Sequence, residues 1–268
     1  MIANPIARNM ALALVLALAA ACATVPLTSR SQLAFIPDSQ LLSLSQDNYK
    51  QILQESKIST DAANTAAVRR VGARLSQATE SYLQAHGYST ASYKWEFNLI
   101  DDDSQQNAWC MPGGKVAVYS GILPICKDES GLAVVMSHEI AHAVARHGNE
   151  RMSKQLIVEL GGAALDKALA AQPEKTASLF LLSYGVASEY GVMMPYGRMQ
   201  ESEADRIGLI LMAMAGFDPR AAAPFWERMA QAGGSRPPEF LSTHPAPATR
   251  IADIQRHLPE ALQYYQPR

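Results

Sequence analysis

Cysteine is scarce in this chain: 268 residues hold three, too few for a cysteine-rich structural metal site. An excess of charge of one sign is also missing. Lysine and arginine number 23 against 25 aspartates and glutamates, for a net charge of -2. Without a basic cluster nothing points to nucleic acid, and the near balance gives no strong electrostatic preference for a substrate. Long apolar runs are absent as well. The one from Met10 to Ala21 is short for a membrane span. The remaining chain is long enough to bury one sizeable core as a single domain, and no second domain is needed.

What the chain does contain is a compact piece of chemistry. Residues 138 to 142 read His-Glu-Ile-Ala-His, inside an apolar, helix-patterned stretch from Leu132 to His147. A helix puts side chains four apart on one face, with Cβ atoms roughly 5–6 Å apart, so both imidazoles can converge on one cation. Zinc accepts such nitrogens at about 2.0–2.1 Å. Glu139 is rotated away from the histidine axis and is left free to take a proton from water. This is the HExxH arrangement of metallopeptidases. Leu132, Val134, Val135, Met136, Ile140 and Val144 carry the helical pattern, no proline interrupts it, and Gly148 is placed to end it.

A catalytic zinc usually takes three protein ligands and leaves one position open, so a third must come from elsewhere in the chain. Met199 to Ala215 patterns as a second helix closed by Gly216, with Glu201 and Asp205 four apart on one face. Glu201 can ligate the metal while Asp205 accepts the outer N–H of one histidine and fixes its tautomer. Glu203 falls on the opposite side, toward solvent or an arginine. An acidic first turn favoured by the helix dipole explains the acids, but not their pairing with the histidine helix.

These residues carry a resemblance. HEIAH at 138 to 142, ESEADRIG at 201 to 208, NAWCMPGGKVAVYSG at 107 to 121 and STHPAPATRI at 242 to 251 together resemble the gluzincin family of HtpX, CAAX-endopeptidase and Oma-type metallopeptidases. The likeness is greatest to its soluble, lipid-anchored LoiP-like branch, and covers roughly residues 40 to 256. It implies a mostly helical α+β, zincin-like fold with a small sheet beside the HExxH helix. It implies one Zn2+ held by His138, His142 and Glu201, with Glu139 as catalytic base. No membrane helices flank the site, so CAAX processing is not expected.

The N-terminus has the layout of a bacterial export signal: Arg8, the apolar run, then Cys22. Leu18 to Cys22 looks like a lipobox, which makes Cys22 a lipidation site. The expected organisation is a lipoprotein signal over 1–21, a linker over 22–37, one metallopeptidase domain over 38–258 and a tail over 259–268. By resemblance to lipoprotein sorting, with Ala23 after the cysteine, the expected address is the outer membrane, facing the periplasm through a lipid anchor. Cys110 and Cys126 are open to two readings, a disulfide worth roughly 3 kcal/mol or two buried free thiols.

Asp38 to Lys57, Asp61 to His86, Ser153 to Ala171, Thr176 to Met194, Ala221 to Ala232 and Pro247 to His257 pattern as helices. Trp95 to Ile100, Asn107 to Met111 and Lys115 to Tyr119 pattern as strands, the last two around a Pro112-Gly113-Gly114 turn. A peptidase holds its substrate extended, and adding it to a sheet edge is an economical way. By family likeness the strand after this turn is the edge, so Val116, Ala117, Val118 and Tyr119 are candidates for substrate contact, with Asn107 supporting the site. Residues 143–200 form an insertion between the two site helices, open to readings as a lid or as an interaction surface.

His86, His147 and His257 fall at expected helix ends and read as structural. His244, in the loop Ser242-Thr243-His244-Pro245, has no capping role and reads as an oxyanion donor or as a temporary fourth ligand. Arg250 could pair with Glu201, with Asp205 or with a substrate carbonyl. The function expected is a zinc endopeptidase of the bacterial cell envelope, and the family resemblance implies that it degrades misfolded or unassembled proteins, taken in unfolded or extended form. The rival is a chaperone-like outer-membrane assembly factor with envelope assembly partners and a latent protease site.

Overall fold

A computed structural model describes residues 22–160, 173–184, 197–232, 240–241, 244 and 250–267. The stretch expected as a signal segment lies outside them. So do the ends of the two insertion helices expected over 153–171 and 176–194.

The described residues open with a hairpin, β1 (Cys22–Thr24) against β2 (Ser31–Leu33), followed by α1 (Asp38–Glu55) and α2 (Ala62–Ala85). Asp61 caps α2 by accepting the Asn64 N–H at 3.0 Å, and Gly87 beyond its end takes a φ of 79° that other residues avoid. Three strands follow: β3 (Glu96–Ile100), β4 (Ala108–Met111) and β5 (Lys115–Tyr119). Then come a short α3 (Leu123–Cys126), the motif helix α4 (Glu129–Val144), α5 (His147–Leu160), α6 (Pro173–Ser183), α7 (Arg198–Met214), α8 (Ala222–Ala232) and α9 (Arg250–Leu262). The last helix runs past the expected stop at His257, through Pro259.

The three-stranded sheet has the order β3-β5-β4, with β3 parallel and β4 antiparallel to β5. β5 is therefore central, and the expectation that Val116 to Tyr119 forms an edge is corrected. Both of its sides are already paired and all five of its residues are buried. The unbroken Val-Ala-Val run is what a strand covered on both faces looks like. Period-two alternation divides the hairpin between two cores. Ala108, Cys110, Val116 and Val118 join the cluster that contains α2, α4 and α7, while Trp109, Met111, Ala117 and Tyr119 face Tyr49 and Leu41 of α1. Among the described residues the edge beside α4 is β4.

Cys110 and Cys126 are free and buried, which corrects the disulfide reading. Both serve as small apolar side chains in the same core, and burial raises both thiols, Cys126 to about 12.

α4 starts at Asp128, whose carboxylate accepts the Gly131 N–H at 2.9 Å. Its stop differs from the expectation. The left-handed position after the helix is taken by Arg146 at φ 58°, and Gly148 lies inside α5 instead, where a Cβ would meet the Tyr184 ring at 2.3 Å. α7 crosses α4 closely at Gly208, where a Cβ would stand only 3.2 Å from the backbone nitrogen of His138. Glu201, Asp205 and Gly208 share one helix face, so this contact brings both acids onto the histidine helix. Among the described residues no helix is long and apolar enough to cross a membrane.

Candidate metal centre

Four side chains from three segments converge in the interior. His138 and His142 come from α4, Glu201 from the first turn of α7, and His244 from the segment before α9. Their ligand atoms all lie within 4.8 Å of one another, and all four residues are buried. His138 Nε2 is 3.1 Å from His142 Nε2 and 3.5 Å from Glu201 Oε2, and His142 Nε2 is 3.3 Å from Glu201 Oε1. Donors each about 2.0–2.1 Å from a tetrahedrally coordinated ion lie roughly 3.3 Å apart. The spacing thus fits one small cation, and so does the donor chemistry of two imidazoles and a carboxylate.

His244 completes a fourth corner. Its Nδ1 is 3.2 Å from His138 Nε2 and 3.1 Å from Glu201 Oε1. Its other nitrogen is 3.4 Å from Glu139 Oε1, a fully buried oxygen with no hydrogen bond. A buried carboxylate oxygen without a donor is costly, and this one faces the cluster.

Behind the cluster Asp205 Oδ1 accepts His138 Nδ1–H at 2.9 Å. Arg250 binds Asp205 through two nitrogens at 2.8 and 2.7 Å, and donates to Glu201 Oε2 at 2.9 Å. Its guanidinium carbon lies 3.4 Å over the Trp226 ring, so of the partners expected for the arginine the structure shows Glu201 and Asp205. Asn107 is also buried, but its side-chain oxygen accepts from Ala108 N–H at 2.9 Å, and no bond from it to the cluster is present among the described residues.

The electrostatics follow from burial and from charge. Burial pushes the Glu139 carboxyl up to about 8. Burial opposes charge on His138 too, but its bonds to Asp205 and Glu201 win and raise it to about 9. Burial lowers His142 well below the ordinary imidazole value and brings His244 to about 4. For Glu201 burial favours the neutral form, yet His244, Arg250 and the two α4 histidines hold it far below the usual carboxylate range.

Two residues here were not found from the sequence. His147, read as a helix-end histidine, is fully buried with its Nδ1 2.8 Å from His142 Nδ1. Glu203, expected to face solvent or an arginine, does meet an arginine, Arg30 at 2.7 Å, but it is buried and also meets His147 at 2.9 Å, which was not expected. No periodic signal marks either, because both contacts are made between separate elements.

The family model of peptidase family M48 matches residues 66–258. The chain is 41% identical over 227 residues to the mitochondrial metalloendopeptidase OMA1 of Schizosaccharomyces pombe, covering 81% of this chain and 61% of that protein. It is 33% identical over 249 residues to the human metalloendopeptidase OMA1, covering 89% and 46%. To the beta-barrel assembly-enhancing protease of Escherichia coli it is 36% identical over 167 residues, covering 60% and 34%. The chain thus spans about a third to three fifths of the length of these relatives. The first two are mitochondrial enzymes, which overturns the expected address as a periplasm-facing outer-membrane lipoprotein.

Proposed function

The chain belongs to peptidase family M48, and on that premise we propose that it is a zinc-dependent endopeptidase acting on misfolded or unassembled proteins presented as extended chain. His138, His142 and Glu201 are the ligands and Glu139 is the general base. The observation that carries this reading is the mutual spacing of 3.1 to 3.5 Å among the nitrogens and oxygens of those three ligands.

A zinc ion held there would supply Lewis acidity toward the scissile carbonyl and toward water. The side chains do the rest. Glu139 takes the proton of the attacking water and returns it to the leaving amine. Burial raises its carboxyl in the metal-free site, and a cation held beside it would draw it back toward the ionised form that a base needs. Asp205 keeps the proton of His138 on Nδ1, so that Nε2 presents a lone pair to the cluster. Arg250 neutralises the acids that would otherwise repel one another. The substrate backbone is laid along β4, the outer strand beside α4, in place of the β5 edge first expected.

One observation favours a second, compatible reading, a latent site. His244 stands at the fourth corner, 3.2 Å from His138, with the whole cluster buried. In this form His244 excludes water and substrate, and its side chain has to leave that corner before turnover. The same surroundings leave a binding or chaperone-like role available while the protease is shut.

Cleavage of casein by the full chain, with and without a chelator, tests the principal reading. Hydrolysis that stops on chelation and returns with added Zn2+ is expected. Hydrolysis indifferent to the chelator contradicts it.

A further inference from the structure

His142 has one nitrogen on the cluster and the other on a buried chain of side chains that no sequence motif announces. Its Nδ1 is 2.8 Å from His147 Nδ1, and His147 Nε2 is 2.9 Å from Glu203 Oε2. Glu203 is gripped from the far side by the N-terminal hairpin. Arg30 Nε donates to the same Oε2 at 2.7 Å, and the Thr28 hydroxyl donates to Oε1. The other nitrogens of Arg30 reach Glu150 at 3.2 and 3.0 Å, and Gln200 donates to Glu150 at 2.7 Å. Gln32, at the end of the hairpin, donates to the Ala145 carbonyl at the end of α4 at 2.7 Å.

The proton inventory of this chain has one solution compatible with a cation. An ionised Glu203 only accepts, so His147 Nε2 must donate to it. If His147 Nδ1 also bore a proton, His142 Nδ1 would have to accept, and a neutral His142 would carry its own proton on Nε2. That nitrogen faces His138 and Glu201 and could not then ligate. His142 Nδ1–H therefore donates to a lone pair on His147 Nδ1, and His147 Nε2–H donates to Glu203.

We propose that His147 and Glu203 are positioning residues for His142, and that Thr28 and Arg30 of the N-terminal hairpin complete this relay to the metal centre. The proposal rests on the reading of the His138, His142 and Glu201 cluster as a metal site. It gives the two histidines unlike supports: Asp205 holds His138 directly, whereas a carboxylate holds His142 through a second imidazole. It also makes residues 28 and 30, which lie outside the matched family region of 66–258, part of what keeps the metal in place.

The test is a competition titration of the full-length protein with Zn2+ against a chromophoric chelator, on wild type, Glu203→Gln, His147→Phe and Arg30→Met. One bound Zn2+ is expected for wild type, with affinity falling roughly ten- to a hundred-fold in Glu203→Gln and His147→Phe. Arg30→Met moves it the same way by less. Because a core substitution can disturb folding, long-range 1H–15N spectra of the unmutated, zinc-loaded protein give a second readout. They should show His142 protonated on Nδ1 and His147 on Nε2 alone. Wild-type affinity in both Glu203→Gln and Arg30→Met, or a proton on His147 Nδ1, overturns the relay while leaving the metal site standing. Failure of wild type itself to bind Zn2+ overturns the metal-site reading, and the relay with it.

Discussion

Nε2 of His138 and Nε2 of His142 face each other across 3.1 Å, each on a turn of the same helix. Two lone pairs at that distance repel unless a proton or a cation lies between them. Without a cation His138 keeps the proton, held up to about 9, while burial leaves His142 neutral. Acid and metal thus compete for one place.

The first prediction is a pH dependence of metal binding. Below about 9 the metal-free cluster carries a proton on His138 that the cation must displace. The apparent affinity for Zn2+ should therefore weaken as pH falls, by about tenfold per unit for each proton displaced. Titrations between about pH 6.5 and 9 read the slope. A flat profile would mean that the binding nitrogens are not those of this cluster.

Removing the fourth corner gives the second. His244→Ala should open the site, raising the rate of casein hydrolysis several-fold and loosening Zn2+ modestly. If His244 served instead as an oxyanion donor, the rate would drop by about 100-fold or more. Initial rates at saturating Zn2+ separate the two directions.

The third concerns Arg250, which neutralises two buried carboxylates and lies over Trp226. Arg250→Met keeps much of the volume but leaves Asp205 and Glu201 without their cation. A loss of about 3–5 kcal/mol is expected for such a broken buried pair, measured by urea unfolding in chelator. Added Zn2+ should restore part of it. A loss near that of a surface pair, about 1 kcal/mol or less, would show that the arginine is not integral to the site.

Local patterns carried much of this structure, and long-range contacts carried what the patterns missed. The α4 run from Leu132 to Val144 and the Glu201, Asp205 spacing follow from the helical repeat, and the Pro112-Gly114 turn marks the β4-β5 hairpin. The placement of β5 in the middle of the sheet depends on β3 docking alongside it, which no window of sequence contains. The stop of α4 differs from the glycine expected because Arg146 takes the left-handed position usually left to glycine, and Gly148 packs against Tyr184 inside the next helix. His147 looked like a helix end for the same reason. Its contact with His142 exists only because α5 turns back at Arg146, and Glu203 reaches it only because α7 crosses behind.

Zinc content and casein hydrolysis of Glu139→Gln beside wild type test the central claim most directly. Glutamine keeps the shape of Glu139 but cannot take the proton, so Zn2+ should bind at wild-type stoichiometry while hydrolysis falls by about 100- to 10,000-fold. Hydrolysis at the wild-type rate with zinc still bound would contradict the assignment of Glu139 as the base.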